Sequence, residues 1–275
     1  MKKYILILLL LITSMSAQSI KAGYDVSFGI IGEIGKAEIT YAHDEDNYVI
    51  FVHAWTTGMS AVLSQNREES YISQGRIIDG ILRPDAFVKH RKSDRSVRDN
   101  VYLFDYDTKK VHAYYSKIHS VQSTCFDTKT MKSNKIETEE FSQNSEDFRF
   151  FTDNDLLSLF FNTQKILPTL KYGEARQLAA IGSKSPNCEI DIEVPDEELR
   201  TELQAIMADT RGNLLTIILH QNIFQSERGE LHVNFDHDGF AKDVVLKDVI
   251  MFGDIRGKRI YQDVSATNNV ALSEE

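Results

Sequence analysis

The chain has 275 residues, with 41 acidic against 31 basic side chains, a net charge of −10, and 42% hydrophobic residues. That balance excludes a nucleic-acid binder, whose phosphate contacts need a basic surface, and for the same reason disfavours a uniformly anionic membrane surface. The length suffices for a sizeable core, and with 4 prolines and no Gly/Ser-rich linker one continuous domain is expected over residues 20–265.

In chain order, the first segment is a leader. Met1-Lys2-Lys3 is a short basic start, Tyr4 to Ile12 is an unbroken apolar run, and Thr13 to Ser19 is small and polar. This is the three-part layout of a secretory signal peptide at 1–19. The run is about nine residues, against the roughly 20 needed to span a bilayer. Ser14-Met15-Ser16 and Ala17-Gln18-Ser19 both fit a cleavage site, and no cysteine lies near them to carry a lipid. The expected location is the periplasm. Without Lys2 and Lys3, 29 basic residues face 41 acidic ones, a net charge of −12, which reads as solubility. Cys125 and Cys188 are the only cysteines. An oxidising compartment permits one disulfide between them, and two unpaired thiols are the equal alternative.

The next segments read as strands. Tyr24, Val26, Phe28 and Ile30 alternate with polar residues, as do Ala37, Ile39 and Tyr41. This period of two marks a strand with one wet face. Asp44 to Asn47 is a turn cluster. From Tyr48 to Trp55 both faces are apolar apart from His53, and Val101 to Tyr106 and Leu214 to Leu219 share that character. A strand apolar on both sides needs cover on both, so something must pack into the concave face of the sheet. Residues 127–147 are polar, which predicts a loop or an exposed hairpin.

Two helices could supply the cover. Thr152 and Asp155 form a capping-box pattern ahead of Leu156, Leu157, Leu159, Phe160 and Phe161, which predicts a buried helix over 152–165. Pro195 and the acidic run Asp196-Glu197-Glu198 open a second, amphipathic helix over 195–208. Further on, Leu231, Val233 and Phe235 lead through the turn Asp236-His237-Asp238-Gly239 into a return strand over 240–249. Gly253 to Gly257 reads as a compact loop, and 266–275 as a flexible tail. The fold class is mainly β: a curved antiparallel sheet or half-barrel wrapping an apolar helix, with a second amphipathic helix.

Few residues point to chemistry. Asn234 to Gly239 matches the start of a calcium loop, but the twelfth position is Val245 where a bidentate Glu is needed, so a hairpin turn is expected and no metal. No histidine pair has zinc spacing, and neither a nucleophile elbow nor a phosphate loop is present. No cofactor is expected, and the protein is read as not an enzyme. Lys89, Arg91, Lys92 and Arg95 make the one basic cluster of an acidic chain, a candidate contact for an anionic group or an acidic partner. Phe51, Trp55, Leu103, Leu156 and Phe160 are the candidates for lining an apolar cavity.

These features resemble a family of uncharacterised, secreted, β-rich proteobacterial proteins defined only as a domain of unknown function. The matching residues are the strand Tyr24 to Ile31 with Gly32 and Gly35, Gly75 and Pro84, Asp155 to Leu159, and Phe235-Asp236 with Gly239. At fold level the chain is also similar to periplasmic lipoprotein carriers, in which a curved sheet wraps a helix. The family implies no catalytic residues. The leading expectation is a non-enzymatic periplasmic carrier of a lipid or acyl ligand. The alternatives are an interaction or structural envelope factor with a packed interior and an envelope protein as partner, or a hydrolase with a dispersed site.

Overall fold

Alternating apolar residues close into one long antiparallel sheet. The computed structural model of the chain describes residues 17–127, 132–166, 170–183, 187–207, 212–220, 229–249 and 253–267. The first half is a meander of β1 (Ala17–Phe28), β2 (Gly32–His43), β3 (Asn47–Thr56), β4 (Glu68–Ile78), β5 (Ile81–Ser93), β6 (Ser96–Asp105), β7 (Lys110–Asp127) and β8 (Lys132–Asp147), with a short helix α1 (Gly58–Ser64) between β3 and β4. The second half holds α2 (Leu156–Ile166), β9 (Ala175–Ala179), β10 (Glu189–Glu193), α3 (Glu197–Ile206), β11 (Asn213–Ile218), β12 (Glu230–Phe235), β13 (Ala241–Val249) and β14 (Gly253–Thr267). The strand order is β8-β7-β6-β5-β4-β3-β2-β1-β14-β13-β12-β11-β10-β9. The two meanders join where β1 pairs antiparallel with β14. The sheet is curved and open, ending at β8 and β9 without closing into a barrel.

This topology explains where α2 lies. The chain leaves the sheet at one edge, β8, and re-enters at the other, β9. The link between them carries α2 across the concave face, where both halves of the sheet meet it. Leu159 packs with Ile190, Ile192, Leu215, Ile217, Val233 and Phe235 of the C-terminal half. Leu156 and Leu157 reach Phe87, Tyr102 and Ile181. Phe161 touches the Tyr48, Ile50 and Leu82 group on one side and the Ile20, Tyr24 and Phe240 group on the other. One helix therefore joins most of the core, and the expectation of an apolar helix wrapped by a curved sheet holds.

The helix starts later than its sequence pattern predicts. Asp155 and Ile181 form a parallel bridge, and the chain around it is tied by Leu156 N to Ile181 O (3.1 Å) and Ile181 N to Asn154 O (2.9 Å). These bonds hold the backbone extended, so helix begins at Leu156 and Thr152 instead donates its hydroxyl to Ala179 O at 2.8 Å. The cap is Asp155 itself: its Oδ1 accepts from Leu157 N (2.7 Å) and Ser158 N (2.9 Å), while Ser158 Oγ accepts from Asp155 N (2.9 Å). The capping box exists, shifted by one turn, with Ser in place of the usual Glu.

The second helix matches its prediction, with Asp196 accepting from Leu199 N at 2.9 Å as the N-cap. Leu203 and Met207 cover Leu214 and Val245 on the outer face of the C-terminal half. β11 is thus buried on both sides, Leu215 and Ile217 toward α2 and Leu214 toward α3. The polar stretch 127–147 supplies β8, an exposed arm of a hairpin, with 128–131 outside the described residues. Two boundaries move. Gly253 to Gly257 is strand rather than loop, paired with β1 and β13. β14 continues to Thr267 because Ala17 to Ser19 pair with Ser265 to Thr267. Residues 1–16 of the expected leader and 268–275 of the expected tail lie outside the described residues.

Candidate functional site

Polar side chains fix α2 in the concave face. Ser73 on β4 donates to Asp155 Oδ2 at 2.5 Å, and Tyr48 on β3 bonds Ser73 Oγ at 3.0 Å. One turn from the C-terminal end of α2, Asn162 clasps the backbone of Leu82, accepting from its N–H and donating to its carbonyl, both at 2.8 Å. Asp155, Ser158, Asn162 and Ser73 are completely buried. An apolar stripe slides easily along an apolar sheet. Two-sided amide and carboxylate bonds have one register, since a slip leaves each group buried and unpaired. Burial pushes Asp155 up to about 6, against the pull of its Ser73 and backbone donors. Burial likewise raises the Tyr48 phenol, and the Asp155 charge adds to it.

The expected cavity residues divide between two faces. Leu156 and Phe160 lie on α2 and pack inward, Phe160 with its ring 6.0 Å from Phe235. Phe51, Trp55 and Leu103 do not join them. On β3 the buried residues are Tyr48 and Ile50, so the period of two turns Val49, Phe51, His53 and Trp55 to the outer face. On β6, Tyr102 and Phe104 point in and Leu103 points out. The two-sided apolarity of these strands predicts cover on both faces. Among the described residues, a helix covers the outer face only in the C-terminal half, where α3 packs on it.

The outer face of the N-terminal half is consequently an open apolar surface. Phe51, Ile72, Val88, Val101 and Tyr114 are successive cross-strand partners from β3 to β7. Phe51 and Leu103 are each 39% exposed and Tyr114 is 50% exposed. His53 stacks between Phe51 and Trp55, with ring centroids 6.4 and 4.9 Å away. A depression of about 300 Å³ on β6, β7 and β8 is lined by polar groups such as Arg98, Asn100, Lys117 and Gln143. Tyr115 is the one aromatic side chain of its lining, which holds no aliphatic residue of the kind that packs an acyl chain.

The basic cluster also divides. Lys89 donates to Gly182 O at 2.9 Å and lies 5.8 Å over the Tyr71 ring. Arg91 pairs with Glu69 at 2.9 Å, where Arg67 and Tyr71 also bind. Burial works to raise Glu69, but the Tyr71 hydroxyl and the two guanidinium groups outweigh it and hold the carboxyl below its ordinary value. Lys92 and Arg95 are exposed at the end of the β5–β6 hairpin. Cys188 is a free, buried thiol 3.6 Å from Ser183 O. The Cys125 side chain lies outside the described residues.

At the calcium-like turn, Asp236 Oδ1 accepts from Asp238 N and Phe240 N, both at 3.0 Å, and Oδ2 accepts from Arg259. The Arg259 guanidinium thus engages the Asp236 carboxylate, and the segment is a hairpin turn as expected. Sequence reasoning missed two features. One is the Ser73, Tyr48 and Asn162 set that anchors α2, whose members lie far apart in the chain. The other is α1, whose Met59, Val62 and Leu63 stand in solvent. Their spacing at i, i+3 and i+4 was the available signal.

Comparison with curated proteins finds no match. Among solved structures, the chain is similar to the crystal structure of a β-barrel-like protein of domain of unknown function DUF1849 from Brucella abortus. That likeness has 11% identity and a TM-score of 0.33, over 90% of this chain and 98% of the other. A family model described as "Protein of unknown function (DUF3108)" matches residues 23–163, the half-sheet from β1 to β8 together with most of α2. The chain belongs to the DUF3108 family of proteins of unknown function.

Proposed function

We propose that the protein is a non-enzymatic factor of the cell envelope, exported by its leader, whose packed sheet-and-helix body engages an envelope protein through its outer surface. The observation that carries this reading is the position of α2. Leu156, Leu159, Phe160 and Phe161 occupy the concave face, where a carrier holds its ligand, and Phe161 makes ring contacts at 4.9 Å with Tyr41 and 5.2 Å with Phe240. The apolar surface left open lies outside, on Phe51, Leu103 and Tyr114. Ser73, the hydroxyl beside a carboxylate, is fully buried and donates to Asp155, which supports the non-enzymatic reading. Export after Ser16 would leave β1 whole. Export after Ser19 would remove three residues that pair with both β14 and β2 or with β14 alone.

A lipid-carrying reading draws on the same helix. Phe160 and Phe161 are only half-buried, and an acyl chain would have to displace them. Mass spectrometry of organic extracts from protein purified natively from the envelope tests the choice. The packed reading expects no lipid at stoichiometric yield. A lipid recovered at one per chain would transfer the assignment to the carrier.

A further inference from the structure

α1 is amphipathic in the reverse sense. Met59, Val62 and Leu63 form one helical face and are 72%, 71% and 80% exposed, and no residue of the helix is buried. The small polar face turns inward, with Ser64 Oγ bonded to Thr56 Oγ1 at 2.9 Å. The orientation is held firmly. Gln65 and Asn66 both adopt positive φ, unusual for residues other than glycine, and cap the helix through bonds to Ala61 O and Val62 O. Asn66 then donates to the Asp94 carboxylate at 3.0 and 3.1 Å, and Asp94 N donates to Gln65 O at 2.8 Å. These bonds tie α1 to the β5–β6 hairpin.

That hairpin brings positive charge beside the apolar face. Lys92, Arg95 and Arg98 are exposed and carry no ion pair among the described residues. The acids at this end are partly engaged: Glu69 binds Arg67 and Arg91, Asp94 binds Asn66, Asp99 binds His90, and Glu33 accepts from Thr57 Oγ1 at 3.1 Å and lies 3.9 Å from Lys36, while Glu68 stands opposite Lys92. Ile31, on the turn beside the start of β2, adds another exposed apolar side chain, and Thr57 N bonds Ile34 O at 3.0 Å to hold that turn against α1. In a chain of net charge −10, the hairpin end sets the exposed cations Lys92 and Arg95 beside α1.

We infer that α1 and the β5–β6 hairpin form a membrane-contact tip that inserts Met59, Val62 and Leu63 shallowly into a bilayer while Lys92, Arg95 and Arg98 meet anionic headgroups. The apolar side chains are 71–80% exposed, free to enter a deformable lipid interface, and the flanking Lys92 and Arg95 complement anionic lipid. The overall acidity opposes a wholesale anionic surface, but screening over roughly 8–10 Å leaves the local patch to decide. This contact is separate from the protein-binding reading above and does not depend on it.

Vesicle co-sedimentation of the mature protein tests it, with phosphatidylcholine alone and with phosphatidylglycerol mixed in. Trp55 closes β3 just ahead of α1 and is the only tryptophan, so its emission should shift blue on binding. The expected result is binding to the anionic vesicles only, weakened roughly tenfold or more by Val62→Ser with Leu63→Ser and by Lys92→Glu with Arg95→Glu. Both pairs are exposed, so melting temperatures should match wild type. No binding to either vesicle, or binding that survives both pairs of substitutions, would overturn the proposal. So would a dimer in vesicle-free solution that Leu63→Ser converts to monomer, which would assign the tip to a second copy.

Discussion

Asp155 sits where a carboxylate is costly, and its titration reports on the anchor of α2. Its ordinary value is 3.8 and burial raises it to about 6 in the fold. The folded state therefore binds the proton more tightly than the unfolded chain. The stability this confers is fully present below 3.8 and is lost as pH rises through about 6. The shift corresponds to a contribution on the order of 3 kcal/mol. Denaturant midpoints of wild type and Asp155→Asn, measured across that window, should diverge, with wild type losing stability relative to the variant as pH rises. A constant difference would show that Asp155 does not titrate there. Gly239 makes a second test at this scale. Its φ is +84°, and an added Cβ would come within 3.6 Å of Phe161. Gly239→Val should destabilise by about 1–3 kcal/mol, because a β-branched side chain tolerates that conformation poorly. Added calcium should leave the melting temperature unchanged, since Arg259 already meets Asp236.

Among elements, α2 carries the core. Leu159 is buried against the C-terminal half of the sheet, so Leu159→Ala should cost roughly 2–5 kcal/mol by calorimetry or urea melts. A wild-type melt for that variant would contradict the wrapped architecture. The apolar run Leu156 to Phe161 made this helix legible, and alternation made β1, β2 and β12 legible. What escaped was anything set by distant partners. Thr152 has the right spacing for a cap, but the bridge between Asp155 and Ile181 overrides it. Phe51, Trp55 and Leu103 looked like cavity residues because a strand apolar on both faces ordinarily has cover on both. Sequence gives the period of the strand but not which face has a helix above it. β11, equally apolar, received α3, and among the described residues no helix covers the outer face of β3, where Val49 and Phe51 stand exposed. Cys188, expected to pair or stay free, is free and packs with Phe87 and Tyr102.

For the whole molecule, two strands laid side by side at the chain ends hold the meanders together. Ala17 to Phe28 pair with Ile255 to Thr267, so the first and last described strands form the seam. A mature protein beginning at Ala17 keeps the entire seam, and the intact mass of periplasmic material should correspond to cleavage after Ser16. Full-length mass in a soluble fraction would contradict export. The central claim is that the half-barrel is filled by its own helix. Hydrogen exchange across α2, with and without an added fatty acid, tests that most directly. If the helix is a fixed part of the core, its amides exchange only with global unfolding, as slowly as those of β3 and β11, and fatty acid changes nothing. If α2 amides exchange well before the sheet, or if fatty acid releases them, the interior is a ligand chamber with a movable plug and the account is wrong.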